Sequence, residues 1–258
     1  MLREYYPGII AAFADKRHGL LRPDARAVLA AAPTPRAAAK LTKTQLRALL
    51  RRAGRQRGID AEADRLQAIL RAEYLHQPPL VEDALGRQAL ALLRQLDTAC
   101  ANADELAAAV IEHFETHPAA PIIASQPGLG ALTGARVLAE IGDDRSRFAD
   151  ARALKAYAGA APVTRASGKS VAVMHRRIKN HRLADAGYLW AFTALTAPPG
   201  ARAHYDRRRH AGDHHAAAQR NLFNRLIGCL HHCLATGQPY QETIAFPPNS
   251  QTQENAAA

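Results

Sequence analysis

The stretch "LGRQALALLRQLDTACANADELAAAV" (residues 85–110) decides the fold class of this chain. Its apolar residues alternate spacings of four and three, which is the heptad pattern of a helix with one apolar seam. The seam residues are Leu85, Ala89, Leu92, Leu96, Ala99, Ala103, Leu106 and Val110. The pattern predicts one long helix, paired in a helical hairpin or a dimer arm, or else packed as an ordinary amphipathic bundle helix. We expect a mainly α fold, a helical bundle with a long coiled-coil-like arm, and a homo-oligomer formed through the 80–117 helix.

The distribution of charge divides the chain further. Residues 36–57 hold eight cations and no acid, whereas residues 58–117 hold eleven acids against four cations. We place a basic helical region at 1–57, acidic coiled-coil-like helices at 58–117 and a third domain at 118–245. The end of the chain, "FPPNSQTQENAAA", has no apolar period, so residues 246–258 are predicted to be disordered.

The overall composition favours a polyanionic partner. The 258 residues are 48% hydrophobic, which is enough to bury a core, and 34 Lys and Arg against 23 Asp and Glu give a net charge of +11. Nucleic acid is therefore the first partner to consider. No apolar run is long enough to cross a membrane, and no secretory leader is visible. Three cysteines cannot form a disulfide framework, so a cytoplasmic protein is expected.

A basic amphipathic helix is predicted within the cationic block. On one face, opposite the leucines, cations recur every fourth residue at Lys43, Arg47, Arg51 and Arg55. Thr42 is the expected N-cap residue, Gln45 completes a capping box, and Gly54 is the expected stop. Stacked cations repel one another, so we expect the first three of them to bind nucleic-acid phosphates. A solvated surface is the alternative.

A second motif, "IIASQPGLGALTGARVLAEIGD" at 122–143, places two glycines between apolar helical segments. This arrangement resembles a helix-hairpin-helix, in which glycines let the backbone approach a phosphate and the N–H groups of the second helix face the anion. The expected contacts are Gly128, Gly130 and Thr133, which would hold a duplex backbone without reading its sequence. A plain tight turn between helices is the alternative.

The serine loop, residues 160–182, contains a predicted β-hairpin. Two short apolar runs, Pro162–Thr164 and Val171–Met174, flank "RASGKS", which puts Ser167 and Gly168 at the tip. The surrounding cations could bind a phosphate and lower the cost of forming a serine alkoxide. They are Arg165, Lys169, Arg176, Arg177, Lys179 and Arg182. Ser167 is therefore a candidate nucleophile, although Ser-Gly is also a common turn dipeptide.

Histidines and cysteines near the end of the chain invite a metal interpretation. Cys229 and Cys233 share one helix face, but a matching pair of ligands is absent. Buried structural thiols are therefore favoured over zinc, and no metal site is predicted. Arg207–Arg209 add to the cationic surface, and Arg220 and Arg225 continue it along a helix.

Several of these segments together resemble a known family. "GLGALTGARVLAEIGD", "RFADARALKAYAGAAPVTRASGKS", "RRIKNHR" and "GCLHHCLATGQPY" follow the order of the C-terminal transposase domain of the insertion-sequence 110 family, also called the 116/110/902 family. This resemblance covers about residues 121–240. The stretch at 20–58 resembles the helical region that precedes the domain.

The resemblance implies DNA transposition, in which a serine attacks a DNA phosphate and forms a covalent phosphoserine link. By position that serine is Ser167, with Ser170 as the fallback. The family also implies a structured guide RNA and an N-terminal RNase H-like domain whose carboxylates bind magnesium. No Asp or Glu here maps onto that acidic set, so the chain is expected to lack the domain, to bind no cofactor itself and to be catalytically incomplete alone. The alternatives are a non-catalytic DNA-binding fragment or regulator, and a coiled-coil interaction protein.

Overall fold

The computed structural model describes residues 1–14, 18–196 and 199–247. Within that part the fold is mainly α, as predicted, with fourteen α-helices and one two-stranded antiparallel sheet. None of the described helices combines the length and the apolar character needed to span a membrane. The chain divides into two compact units, Met1–Glu105 and Leu106–Ala258, so one long helix contributes residues to both.

Helices packed on a shared apolar core build the first unit. They are α1 (Leu2–Tyr5), α2 (Pro7–Phe13), α3 (Pro23–Ala31), α4 (Pro35–Ala39), α5 (Lys43–Arg52), α6 (Ile59–Leu70) and α7 (Pro79–Glu115), with a 3-10 turn at Gly19–Leu21. Four of them begin at proline, whose fixed φ suits a first turn and whose missing N–H would have no helical acceptor there. The largest fully buried side chains of this core are Tyr5, Tyr6, Ile9, Phe13, Leu46, Leu50 and Leu66.

Helix α5 confirms the predicted cap. The backbone N–H of Gln45 donates to the Thr42 hydroxyl at 3.2 Å, and the Gln45 side-chain oxygen accepts from the Thr42 N–H at 2.9 Å. This reciprocal pair satisfies donors that have no acceptor inside the helix. The helix ends just before Gly54, as predicted, and Leu46 and Leu50 face the core.

The predicted long helix is confirmed as α7, but its predicted seam is not buried along its length. Ala89 and Leu93 pack into the core of the first unit. Five of the eight seam residues are exposed instead, namely Ala99, Ala103, Leu92 (47%), Leu106 (68%) and Val110 (43%). Packing on the first unit therefore selects a stripe through Leu93 rather than Leu92, which favours an ordinary bundle helix for the first half of α7.

The second unit surrounds two long central helices. Its elements are α8 (Ala120–Ala124), α9 (Ala131–Ile141), α10 (Ala151–Tyr157), β1 (Val163–Ser167), β2 (Ser170–Met174), α11 (His181–Ala194), α12 (Pro199–His210), α13 (His215–Thr236) and α14 (Glu242–Ala245), with a 3-10 turn at Arg145–Arg147. Helices α11 and α13 supply fully buried side chains at Leu183, Trp190, Leu222, Leu226, Ile227 and Leu230. These side chains anchor both helices in the core, and residues 175–180 connect the hairpin to α11.

The C-terminal segment packs onto this unit as far as Phe246. That residue is the first of the predicted disordered tail, yet it is only 9% exposed and its ring lies against His204. Arg225 holds the segment, because its Nε donates to the Ala245 carbonyl at 2.7 Å and its guanidinium lies over the Phe246 ring. Residues 248–258, the rest of the predicted tail after Pro247, lie outside the described residues.

Candidate nucleic-acid interface

The predicted hairpin is present, and Ser167 lies at the end of its first strand. Strands β1 and β2 pair antiparallel, and the last pair is Ser167 with Ser170. Gly168 and Lys169 therefore form the turn. Gly168 has φ +56°, a left-handed conformation that glycine adopts readily and that tight hairpin turns require. Both serines are exposed.

One face of the hairpin carries both candidate serines. Side chains alternate between the two faces of a strand, so Arg165 and Ser167 share a face of β1. Directly paired residues also share a face, which adds Ser170 opposite Ser167 and Ala172 opposite Arg165. Arg165 therefore lies on the same face as both hydroxyls, where it could contact a phosphate bound to either one. Both serines remain candidate nucleophiles.

A concave surface of about 770 Å³ lies at the base of the hairpin, and we call it the hairpin cleft. Its basic lining comes from Arg165, His175, Arg176, Arg177 and Arg220, and neither Ser167 nor Ser170 lines it. Its apolar lining comes from Val163, Val173, Met174 and Ile178. None of these lining residues carries a carboxylate, so the cleft suits an anionic ligand.

The arginines of the hairpin cleft are not neutralised within the described part of the chain. None of the four has a carboxylate partner there, and the Nε of Arg176 is buried without a hydrogen-bond partner. Gathered cations repel one another, and a buried N–H without an acceptor is costly. A phosphate would relieve both, since guanidinium groups bind its oxygens through paired N–H donors.

The predicted cations of the serine loop lie in different places in the structure. Three of them line the hairpin cleft, namely Arg165, Arg176 and Arg177. Lys169 lies in the turn, Lys179 lines a smaller neighbouring cleft, and Arg182 is 85% exposed and 3.8 Å from Glu140. Arg220 on α13 was predicted only as part of the wider cationic surface and not as a residue of the serine site, because its distant place in the sequence does not indicate that it lines the same cleft.

The turn between α8 and α9 contains two glycines with different surroundings. Gly128 has φ +70°, and a Cβ there would lie 2.5 Å from the backbone nitrogen of Ala194 on α11. The Thr193 hydroxyl donates to the Gly128 carbonyl at 2.6 Å, and the Trp190 indole N–H donates to the Pro127 carbonyl at 3.0 Å. Gly128 is therefore required for close packing of the turn on α11.

Gly130 is different, because it is the exposed N-cap residue of α9 and open space surrounds the position of a Cβ. Thr133 follows in the first turn and is half-buried. The first N–H groups of a helix have no helical acceptors. Gly130 and Thr133 therefore stay candidates for an anion contact, whereas α8, with five residues, is short for the first helix of the predicted motif.

Two of the three predicted cations of α5 already have intramolecular partners. The Lys43 ammonium lies 2.8 Å from Asp64, and Arg47 pairs with Asp60, both acids belonging to α6. The hydrogen bond from Lys43 lowers the pKa of the Asp64 carboxyl below its ordinary value. Arg51 is exposed and has no carboxylate partner among the described residues. The cationic face of α5 therefore carries less unneutralised charge than its sequence indicated, and it is a weaker candidate for binding phosphate.

The cysteines of α13 behave as structural thiols. Cys233 is buried and Cys229 half-buried, and neither forms a disulfide. Burial raises the pKa of both thiols, so they stay protonated at neutral pH. Over residues 1–14, 18–196 and 199–247, no three His, Cys, Asp or Glu side chains are grouped as a metal site would require.

Comparison with known proteins identifies the domain that contains the hairpin as a transposase domain. Residues 120–206, from α8 into α12, match the model of the transposase IS116/IS110/IS902 family. Residues 120–206 therefore form a transposase domain of this family.

Individual relatives agree with the family match. The chain is 61% identical over 248 residues to the protein assigned as the mini-circle transposase for IS117 of Streptomyces coelicolor, which covers 96% of this chain and 60% of the relative. It is 38% identical to an uncharacterised 43.6 kDa protein of insertion element IS110 from the same organism, over 51% of this chain and 32% of the relative. The 42 kDa protein of insertion element IS900 of Mycobacterium paratuberculosis is also 38% identical, over 52% and 33%. The chain thus spans about 60% of the IS117 relative and about a third of the others.

Proposed function

We propose that this chain supplies the DNA-binding and strand-exchange region of a transposase, with the DNA backbone held in the hairpin cleft and continuing past Arg165 to Ser167 near the tip of the hairpin. The observation that carries the proposal is the set of four arginines that line the cleft without acidic partners in the described chain. The family match and the IS117 relative support DNA transposition as the function. Contacts of this kind grip phosphates and do not read base sequence.

A second backbone contact is proposed at the turn between α8 and α9, in the manner of a helix-hairpin-helix. Open space surrounds Gly130, and the first N–H groups of α9, which have no helical acceptor, would bind a phosphate with the helix dipole behind them. Lys169, Lys179 and Arg182 extend the cationic surface of the hairpin. We propose α5 only as a weaker site, which depends chiefly on Arg51 because its neighbours are paired.

The proposed chemistry is nucleophilic attack by Ser167 on a DNA phosphate. The Ser167 hydroxyl loses its proton to a base, its Oγ forms a bond to phosphorus, and the bond from phosphorus to the leaving nucleoside oxygen breaks. That oxygen takes up a proton, and the strand is left joined to the protein as a phosphoserine. Arg165 on the same face would stabilise the extra negative charge of the transition state.

The magnesium implied by the family resemblance does not fit the residues described here. No group of three His, Cys, Asp or Glu side chains lies together among them, so we route no step through a metal in this chain. We propose that the carboxylates come from a segment present in the longer relatives.

The nucleophile is tested by looking for the covalent protein–DNA adduct. Supercoiled DNA carrying an element end is mixed with magnesium, the full chain and the remaining segment of an IS117-type relative, and adducts are separated under denaturing conditions. The native chain and Ser170→Ala are expected to form the adduct, and Ser167→Ala is expected to form none.

An equal adduct yield from Ser167→Ala would rule out Ser167, and loss in Ser170→Ala alone would move the role to the fallback residue. Salt-dependent DNA binding without an adduct from any chain would support the non-catalytic alternative.

A guide RNA and self-association complete the proposal. The hairpin cleft suits the phosphates of RNA as well as those of DNA.

Leu106 and Val110 lie exposed on α7 at heptad spacing, and we propose that they pair with a second copy of the chain. Light scattering is expected to show an oligomer that Leu106→Glu weakens, and an unchanged monomeric mass for both chains would contradict this.

A further inference from the structure

A second concave surface adjoins the hairpin cleft in the same unit. It encloses about 220 Å³ between α11 and α13, and we call it the α11–α13 cleft. Its polar lining comes from Lys179, Asp185, Gln219 and Arg220. Because Arg220 lines both clefts, a molecule bound in one lies next to a molecule bound in the other.

Gln219 at the inner wall of this cleft has an unpaired acceptor. The residue is fully buried, and its Nε2 donates to the Tyr188 backbone carbonyl at 3.1 Å. Only the amide nitrogen can donate to a carbonyl, so this bond fixes the orientation of the side chain. The Oε1 of Gln219 is then left without a partner among the described residues. Buried acceptors are nearly always paired, so this oxygen needs a donor that the described part of the chain does not supply.

The other walls suit a flat heterocycle. Tyr188 is half exposed and presents an aromatic ring, and small side chains at Ala158, Ala184 and Ala216 leave room beside it. The Asp185 carboxylate adds a second acceptor. The volume equals that of roughly seven water molecules in the liquid, which fits a single nucleobase better than a whole nucleotide. Stacking surfaces with a few hydrogen-bonding groups are how proteins hold a base turned out of its strand.

We propose that the α11–α13 cleft binds one unpaired nucleobase that carries an amino group, while the phosphate beside that base lies in the hairpin cleft. The amino group donates to Gln219 and Asp185, and Arg220 and Lys179 neutralise the flanking phosphates. Adenine, cytosine and guanine have such a group, whereas thymine has none. The inference rests on the proposed function, since it adds a base to the strand whose backbone the hairpin cleft holds.

The inference is tested with three duplexes that are identical except for one unpaired adenine, one unpaired thymine or no unpaired base. Their affinities for the full chain are measured by fluorescence anisotropy. The native chain is expected to bind the adenine bulge about tenfold more tightly than the thymine bulge or the perfect duplex. Tyr188→Ala, Asp185→Ala and Gln219→Leu are expected to lose this preference and to keep the affinity for the perfect duplex.

Phe192→Ala is the matched control, because Phe192 is an equally exposed aromatic residue of α11 that does not line the cleft. It is expected to keep the preference for adenine. The two surface variants, at Tyr188 and Asp185, decide the matter even if Gln219→Leu fails to fold. Equal native affinity for all three duplexes, or a preference that the variants leave intact, would overturn this inference alone. A chain that binds none of the duplexes would overturn the proposed function as well.

Discussion

Replacing Arg165, Arg176 and Arg177 together by glutamine is expected to weaken duplex DNA binding by at least about 100-fold at low salt. Each charge-assisted hydrogen bond to a phosphate contributes about 1–3 kcal/mol, and the hairpin cleft offers these side chains no acid to bind instead. The dependence on salt should fall as well. Each phosphate neutralised contributes about 0.9 to the slope of log K against log salt, so the slope should decrease by about 3. Titrations at several salt concentrations measure both quantities.

The matched control replaces Lys43, Arg47 and Arg51 by glutamine. It removes the same amount of charge, but two of these cations are paired with acids of α6. We therefore expect the slope to decrease by about 1 and the affinity to fall far less. If the α5 variant lost more affinity than the hairpin variant, the main DNA site would lie in the first unit and our assignment of the hairpin cleft would be wrong.

Gly128→Ala is expected to destabilise the second unit by about 2–4 kcal/mol, since the new Cβ meets the backbone of α11 and the φ of +70° is unfavourable for alanine. The clash cannot be relieved by a side-chain movement, because the neighbouring atoms are the backbone nitrogen and Cα of Ala194. Denaturant unfolding followed by circular dichroism measures the loss.

The control for this substitution is Gly130→Ala at the other glycine of the same turn. Gly130 has no atom near the position of a Cβ and has φ −70°, so the loss of stability should stay below about 1 kcal/mol, which is the usual cost of a less favourable N-cap residue. If Gly130 approaches a phosphate, the variant should lose DNA affinity while remaining folded. Equal destabilisation by both substitutions would contradict the packing that we describe for the turn.

Local features of the fold were predictable from the sequence. The capping box of α5 depends on Thr42 and Gln45, three residues apart, and both partners are visible in the sequence. The hairpin follows from two short apolar runs around a Ser-Gly pair, and the structure moved its turn by only one residue, to Gly168 and Lys169. The length of α7 followed from the repeated spacing of its apolar residues, together with Pro78 and Pro79 at its start and Pro118 and Pro121 after it.

Features that depend on distant partners could not be predicted. Arg220 lies 55 positions after Arg165, and only the packing of α13 brings the two into one cleft. The acids that neutralise Lys43 and Arg47 belong to the next helix, so the charge pattern of α5 alone indicated a free cationic face. Leu93 is buried in place of Leu92 because the core of the first unit, not a partner helix, selects the buried stripe of α7.

The candidate site was predicted in part. The serine pair and three of its arginines were visible as a cationic stretch without acids, because they lie within one short segment. The role of Gly128 could not be predicted from the sequence, because a glycine that approaches a phosphate and one that packs on a helix look the same there.

Photo-crosslinking of the full chain to element-end DNA, followed by mass-spectrometric mapping of the crosslinked peptides, tests the central claim most directly. The account predicts crosslinks concentrated in residues 163–182 and around Arg220 on α13. Crosslinks confined to the first unit, with none in the hairpin or in the segment that follows it, would contradict the claim that the hairpin cleft holds the DNA backbone.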